Sequence, residues 1–157
     1  RVAGCSRATV HNHFPHALPG IFEALAAETV ETAVRRYRID SNKYSGLDKP
    51  RHFIGLTADE FYKAGELAVA MVRASVDQAT TSAWPWGLGY QTTIDCYDEA
   101  AEDDDLPGAS VDLAEVTHVH FYGSMYLWAL GRLNDDRFLK SAKSSVDLAI
   151  NALQVSR

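Results

Sequence analysis

The sequence predicts an all-α fold, and three observations lead to that prediction. Apolar residues recur every three or four positions through each long segment, which is the spacing of one face of a helix. No segment alternates apolar and polar residues with period two for long enough to form a sheet. Prolines, glycines and polar clusters separate the apolar segments, as they do at helix ends. We therefore expect a bundle of helices.

The composition predicts a folded cytoplasmic protein. The chain has 157 residues, of which 46% are hydrophobic, enough to bury one sizeable core. No apolar run approaches the roughly 20 residues that a membrane span requires, and we expect no signal peptide. Cys5 and Cys96 lie far apart without a CxxC partner, which argues against a disulfide. The net charge of −6 divides into +2 over residues 1–38 and −8 over the remainder, as expected if only the first part meets phosphate.

The first long helix is predicted over residues 19–37. Pro19 occupies its first turn, where a missing N–H leaves no hydrogen bond unmade. Arginines cluster at its end, where cations suit the helix dipole. Residues 40–46 are polar and rich in turn formers, which predicts a loop. This helix is therefore expected to join two modules.

The next helix is predicted over residues 50–63, with Pro50 in its first turn. Its apolar stripe consists of Phe53, Leu56, Thr57, Phe61 and Ala64. A bend is expected at residues 64–66, where Gly65 breaks the pattern. Residues 67–76 are almost entirely apolar, so this helix is expected to be covered on most sides.

A loop is predicted over residues 80–87, followed by a helix over residues 88–101. The loop carries Trp84 and Trp86 on either side of a proline, a poor position for core residues and a good one for the roof of a cavity. Four carboxylates follow at residues 102–105, at the helix end that disfavours anions, so we expect a frayed, solvated loop. This run lacks the glycine and alternating ligands of a calcium loop, so no metal site is predicted.

The last two helices are predicted over residues 110–133, capped by Ser110, and over residues 135–153. The first of them is apolar around most of its circumference, so one neighbouring helix cannot cover it. We expect both helices to pair with those of a second copy in a two-fold, four-helix interface, giving a homodimer. The predicted interface comprises Val119, Gly123, Leu127, Leu130, Phe138, Ala142, Val146, Ala149 and Leu153.

Residues 3–14, Ala-Gly-Cys-Ser-Arg-Ala-Thr-Val-His-Asn-His-Phe, predict a turn followed by one short helix. Gly4 can take a positive φ between two helices, and Ser6 is a good N-cap. The side of this helix that packs carries Cys5, Val10 and Phe14. The opposite side, which includes Arg7 and Thr9, is free to contact another molecule.

This stretch resembles the helix-turn-helix signature of TetR-family transcriptional regulators. The turn glycine, the cap serine, the inner apolar positions and the terminal Phe all occur in the family's register. The resemblance implies a remnant of a DNA-binding module with its linking helix at residues 1–38, and an effector-binding and dimerisation domain at residues 39–157. It also implies a repressor in which a first helix and most of a second precede Arg1.

The resemblance also implies which residues meet double-stranded DNA. On a recognition helix in the major groove, outward side chains contact base edges and phosphates. Carried over position by position, the DNA-binding residues are Arg7, Ala8, Thr9, His11, Asn12 and His13. The chain departs from the family at His11, where Tyr is usual, and lacks the Lys that follows the Phe and contacts a phosphate. An interaction module that has lost DNA binding therefore stays open as an alternative.

A small-molecule cavity is expected inside the helical body, because bundles place such sites between helices and line them with apolar and aromatic side chains. The candidate effector-binding residues are Phe61, Met71, Trp84, Trp86, Tyr90, Tyr97, His118, Phe121, Tyr122 and Met125. Such a lining suits an apolar or aromatic effector. Apart from the two tryptophans, each of these residues also fits an ordinary core position.

Catalysis and a cofactor are not expected, because no nucleophile elbow, phosphate loop, paired-carboxylate motif or metal spacing is present. His11 and His13 lie about 200° apart around a helix, so they cannot hold one metal ion. The alternative function is a helical-bundle enzyme or cofactor-binding protein that uses His118 with Tyr122 or Asp112. It predicts a buried polar constellation or a bound metal, whereas the regulator predicts an apolar cavity with isolated polar groups.

Overall fold

A computed structural model describes residues 18–77 and 86–155 of the chain. Within these two ranges the chain forms seven α-helices and one short 3₁₀ turn, and no strand. The helices are α1 Leu18–Asp40, α2 Asp48–Ala64, α3 Glu66–Asp77, α4 Trp86–Ala100, α5 Ser110–Ala129, α6 Asp135–Lys143 and α7 Ser145–Val155. The predicted all-α class is confirmed, whereas the motif at residues 3–14 lies outside the described residues. No described helix combines the length and apolar character that a membrane crossing requires.

Helices α2 and α5 lie at the centre of the bundle. α2 packs against α1, α3, α4, α6 and α7, and α5 packs against α3, α4, α6 and α7. Phe61 of α2 and Phe121 of α5 meet edge to face, with ring centroids 6.5 Å apart. The predicted stripe of α2 is confirmed, because Phe53, Leu56, Thr57 and Phe61 are all buried. The core therefore fills the space between these two helices and their neighbours.

Gly65 separates α2 from α3 and confirms the predicted bend. Its φ is +56°, in the left-handed region that favours glycine. On α3, Ala68 and Met71 are fully buried, whereas Leu67 is 43% exposed. Val72 is also buried, and Val69 and Ala70 are half-buried, so among residues 67–73 the predicted cover is present except at Leu67 and Arg73.

The acidic run after α4 is more structured than the sequence suggests. The backbone N–H of Gly46 donates to Asp103 Oδ2 at 3.0 Å, and that of Leu47 donates to Asp104 Oδ2 at 2.8 Å. Both N–H groups immediately precede Asp48, the first residue of α2. The two carboxylates thus lie at a helix N-terminus, which favours anions. The run is exposed and lies outside the helix, as expected, but these two carboxylates also form hydrogen bonds to the start of α2.

The C-terminal region contains two helices where the sequence predicts one. Ser144 interrupts the predicted segment and separates α6 from α7. Its hydroxyl donates to Ser141 O at 2.9 Å, and the Ser145 hydroxyl donates to Ala142 O at 2.6 Å. Such hydroxyls compete with the backbone for helix carbonyls, which explains the break. The predicted cap by Ser110 is also wrong, because Ala109 holds the N-cap position of α5 without a side-chain hydrogen bond.

Candidate functional site

Four of the predicted effector-binding residues meet between α4 and α5. The imidazole of His118 lies edge-on to Tyr90 of α4, with ring centroids 5.2 Å apart, and to Tyr122, at 5.0 Å. Phe121 contacts Tyr122 at 5.4 Å on one side and Phe61 of α2 on the other. We call Tyr90, Thr93, His118 and Tyr122 the His118 cluster. It encloses a histidine between two tyrosine rings.

A chain of hydrogen bonds runs through the His118 cluster. Thr93 Oγ1 lies 2.9 Å from Gly89 O and 2.8 Å from His118 Nε2, and His118 Nδ1 lies 2.9 Å from the Tyr122 hydroxyl. A carbonyl can only accept, so the Thr93 hydroxyl donates to Gly89 O and its oxygen accepts from His118 Nε2–H. Nδ1 then carries no proton and accepts from the Tyr122 O–H. All three contacts are satisfied by this one assignment.

The His118 cluster is neutral near pH 7. Burial lowers the pKa of the His118 imidazole from its ordinary 6.5 to about 4. Burial also raises the pKa of the Tyr122 hydroxyl above its usual range. Both effects arise because the charged form of a buried group loses its hydration. The site can therefore donate and accept hydrogen bonds without presenting a formal charge.

A second polar link joins the same two helices. The Tyr97 hydroxyl of α4 lies 2.7 Å from Thr117 Oγ1 of α5, and both residues are fully buried. Burial raises the pKa of Tyr97 to about 12. Thr93 and Thr117 were not among the sequence-predicted site residues. The signal that could have found Thr93 is a polar residue four positions before Tyr97, on an otherwise buried helix side.

The remaining predicted effector-binding residues fall into two groups. Met71 and Met125 are buried in the general core, as is Phe61. Trp84 lies outside the described residues, as does the side chain of Trp86, although α4 begins at that residue. The predicted roof of two tryptophans therefore stays a prediction.

The hydrogen-bonded chain ends where α4 approaches α1. Gly89, whose carbonyl accepts from Thr93, is buried, and a Cβ at this position would lie 3.4 Å from Val30 Cγ1 of α1. Val30 is itself 6% exposed. The Cα of Gly89 therefore faces Val30 where α4 packs against α1.

The predicted dimer-interface residues separate into an outer and an inner set. Val119, Gly123, Leu127 and Leu130 lie on the exposed side of α5, with exposures of 70% for Val119 and 43% for Leu127. The inner set is fully covered within the chain itself and consists of Phe138, Ala142, Val146 and Ala149. Leu153 is half-buried. Tyr126 and Leu148 are exposed apolar residues that the sequence analysis did not include.

The residues predicted for DNA binding and for the enzyme alternative differ in how far the structure describes them. The predicted DNA-binding residues lie outside the described residues. Asp112 is exposed in the first turn of α5, six residues and therefore about 9 Å along the helix axis from His118, so it is not in the cluster. The buried polar constellation that an enzyme requires is present. In the described part of the chain, no group of three or more His, Cys, Asp or Glu side chains could hold a metal ion.

Among known proteins, no family model, no curated sequence and no solved structure matches this chain. The likeness of residues 3–14 to the TetR-family signature is thus carried by those residues alone. The function is inferred below from the residues and from the geometry of the His118 cluster.

Proposed function

We propose that this chain belongs to a DNA-binding transcriptional regulator, a repressor whose operator binding is controlled by a small-molecule effector bound beside His118. One observation carries the proposal. The hydrogen-bonded chain from Tyr122 reaches the carbonyl of Gly89, and Gly89 faces Val30 of α1, the helix that follows the helix-turn-helix-like motif. An effector that alters the His118 cluster therefore has a short physical route to the DNA-binding end.

The chemistry of the cluster favours a neutral aromatic or apolar effector with one hydrogen-bonding group. Tyr90 and Tyr122 offer ring faces and edges, and His118 is uncharged near pH 7. A buried neutral lining disfavours a charged ligand, which would lose its hydration without a compensating ion pair. Few polar groups among aromatic rings are typical of small-molecule sites.

Regulation requires two states that bind the effector with different affinities. In our proposal, the effector competes for the hydrogen bonds of His118 and Thr93, and α4 moves relative to α1 at Gly89. Helix α1 also packs against α2 and α3, so it moves as part of the body. In a dimer, this movement changes the separation of two recognition helices, which must match half-sites about 34 Å apart.

The second copy in this proposal covers the exposed side of α5. Val119, Leu127 and Leu130 form an apolar strip there, and Leu148 is exposed on α7, which packs against α5. Contiguous exposed apolar residues of this kind mark interaction surfaces. A two-fold axis along this strip places the same residues opposite one another in both copies.

The DNA-binding part is tested by selection of random double-stranded DNA on the full-length protein. We expect one enriched sequence family, binding that weakens steeply with salt, and loss of enrichment in a double variant with Arg7→Ala and Thr9→Ala. Arg132→Ala is the matched control, because Arg132 is exposed on the body. Binding that is indifferent to salt, or unchanged in the double variant, would contradict the proposal.

The buried polar constellation favours one alternative, an enzyme or cofactor-binding protein that uses His118 with Tyr122. A neutral histidine with a low pKa can act as a base. In that case His118→Gln abolishes turnover of the small molecule that copurifies with the protein, and DNA selection yields no enriched sequence. Mass spectrometry that detects this molecule unchanged after incubation favours the regulator.

A further inference from the structure

A second site candidate is a surface groove of about 550 Å³ between α3 and the C-terminal end of α5. None of the residues of the His118 cluster lines it. Its α3 wall carries Glu66, Val69, Ala70 and Arg73, which share one helix face because they are spaced by three, four and seven positions. The wall therefore presents an acid, two aliphatic residues and a base in that order.

The two charged ends of this wall are separated by a defined distance. Glu66 and Arg73 are seven residues apart, which corresponds to about 10 Å along a helix axis. Neither the Glu66 carboxylate nor the terminal amino groups of Arg73 find a hydrogen-bond partner among the described residues. Both groups are exposed. They are available to a ligand that carries one charge of each sign.

Arg73 is held in place by the protein. Its Nε–H donates to Ala129 O at the end of α5, with a distance of 2.8 Å. This contact uses one of the five donors of the guanidinium group and leaves the fork of terminal N–H groups toward the groove. Such a fork matches the two oxygens of a carboxylate. Its position is fixed before a ligand arrives.

The opposite wall is fixed as well. Trp128 Nε1–H donates to Asp135 Oδ1 at 2.8 Å, and the indole stacks on Phe138 with centroids 4.7 Å apart. Tyr62, which is 42% exposed, adds an aromatic surface at the rim. The carboxylates of Glu66 and Asp135 oppose a ligand with negative charge only. Arg73 opposes a ligand with positive charge only.

We propose that this groove binds a short peptide with free ends. The C-terminal carboxylate lies on Arg73, the N-terminal ammonium lies on Glu66, and the backbone crosses Val69 and Ala70. An extended peptide advances about 3.3 Å per residue, so three residues span the distance between the charges. The groove and the His118 cluster share no residue, so this inference does not depend on the proposed function.

The proposal is tested by isothermal titration of the full-length protein with trialanine, N-acetyl-trialanine, trialanine amide and free leucine. We expect trialanine to bind, and each blocked peptide and leucine to bind about tenfold more weakly. Arg73→Gln should weaken trialanine binding to the level of the amide and leave binding of the amide unchanged. Glu66→Gln should act in the same way with respect to the acetylated peptide.

Arg132→Gln is the matched control and should leave all four affinities unchanged, because Arg132 is exposed and does not line the groove. Circular dichroism checks that the two groove variants keep their helical content. Absence of trialanine binding at about 10 mM would overturn the proposal, as would equal affinities for the free and blocked peptides. Leucine binding as tightly as trialanine would overturn the peptide length and assign the groove to a single amino acid.

Discussion

Each side of α5 carries residues that are unusual for its surroundings, although the inner side is otherwise apolar. The inner side buries three polar residues, Thr117, His118 and Ser124, whereas the outer side exposes Val119 and Leu127. Buried polar groups are unfavourable unless they form hydrogen bonds. Exposed apolar residues do not contribute the free energy that removal of apolar surface from water provides. Folding of one chain alone does not explain this distribution. We infer that the inner side serves recognition and that the outer side serves association.

The polar side chains of His118 and Thr117 on the inner side form hydrogen bonds, which explains why the core can accommodate them. His118 uses both ring nitrogens, and Thr117 pairs with Tyr97. A satisfied buried network adds little net stability but is unfavourable to disrupt. The outer side has no such internal compensation. Four variants separate these two roles.

The largest effect is expected on the outer side of α5. Leu127→Arg should convert the proposed homodimer into a monomer, because a charge would be buried in the proposed interface without a partner. Sedimentation velocity of the full-length protein measures this change. Leu67→Arg on α3 is a matched control with the same 43% exposure, and should leave the dimer intact. A dimer that survives Leu127→Arg would remove the association role from this side.

On the inner side, the largest effect is a pH dependence of stability. The pKa of His118 is about 4 in the folded chain and 6.5 in the unfolded chain, so the unfolded state binds more protons between these values. The contribution of neutral His118 to the free energy of unfolding should be fully present above pH 6.5. The free energy of unfolding should then fall by about 3 kcal/mol as the pH drops to 4. Urea unfolding at several pH values measures this fall.

His118→Gln is the variant for this experiment, because it removes the titrating group and keeps a side chain that can form hydrogen bonds. The other histidines and carboxylates remain, so the difference between the two pH profiles isolates His118. The variant should lose most of the slope between pH 4 and 6.5. Parallel profiles for the two proteins would show that His118 is not buried in a neutral form.

The next effect concerns the link between α4 and α5. Thr93→Val should lower the free energy of unfolding by about 2 kcal/mol, because His118 Nε2–H is left buried without an acceptor. Thr92→Val is the matched control: Thr92 donates to Leu88 O in the same way but has no partner on α5 among the described residues. Equal losses in both variants would mean that the inter-helix bond adds nothing.

The smallest effect is expected where the inner side reaches α1. Gly89→Ala adds a Cβ 3.4 Å from Val30 Cγ1, at the close limit of van der Waals contact, so we expect a small adjustment of Val30 to reduce the gain of about 1 kcal/mol that alanine brings inside a helix. Gly87→Ala has open space around its Cβ and should show more of that gain. Thermal unfolding compares the two variants. The full gain at Gly89 would mean that α4 and α1 are not tightly packed there.

The helices could be predicted from the sequence because apolar periodicity is a local signal. The predicted segment at residues 50–63 and the helix α2 Asp48–Ala64 differ by two residues at the start and one at the end. The break at Ser144 could not be predicted. It coincides with hydrogen bonds from the hydroxyls of Ser144 and Ser145 to backbone carbonyls of the preceding turn, and the sequence does not show which carbonyls these hydroxyls reach. The contact of Asp103 with Gly46 was also beyond prediction, because it joins residues 57 positions apart.

The same limit applies to the site. His118, Tyr122 and Tyr90 could be named from their residue types and positions, as aromatic and polar groups on helices of the body. Thr93 could be noticed only as a polar residue on a buried helix side; its partner could not be predicted, because the hydrogen bond to His118 depends on the crossing of α4 and α5. The outer side of α5 was predicted from its excess of apolar residues. Its inner neighbours on α6 and α7 were assigned to the same surface because periodicity does not say which partner covers a stripe.

The most direct test of the central claim is the affinity of the full-length protein for its selected DNA, measured with and without the small molecule that copurifies with it. We predict that this molecule changes the affinity at least about tenfold, a typical allosteric coupling, and that His118→Gln removes the change while leaving DNA binding of the ligand-free protein intact. An affinity that is the same with and without the molecule in the unaltered protein would contradict regulation through the His118 cluster.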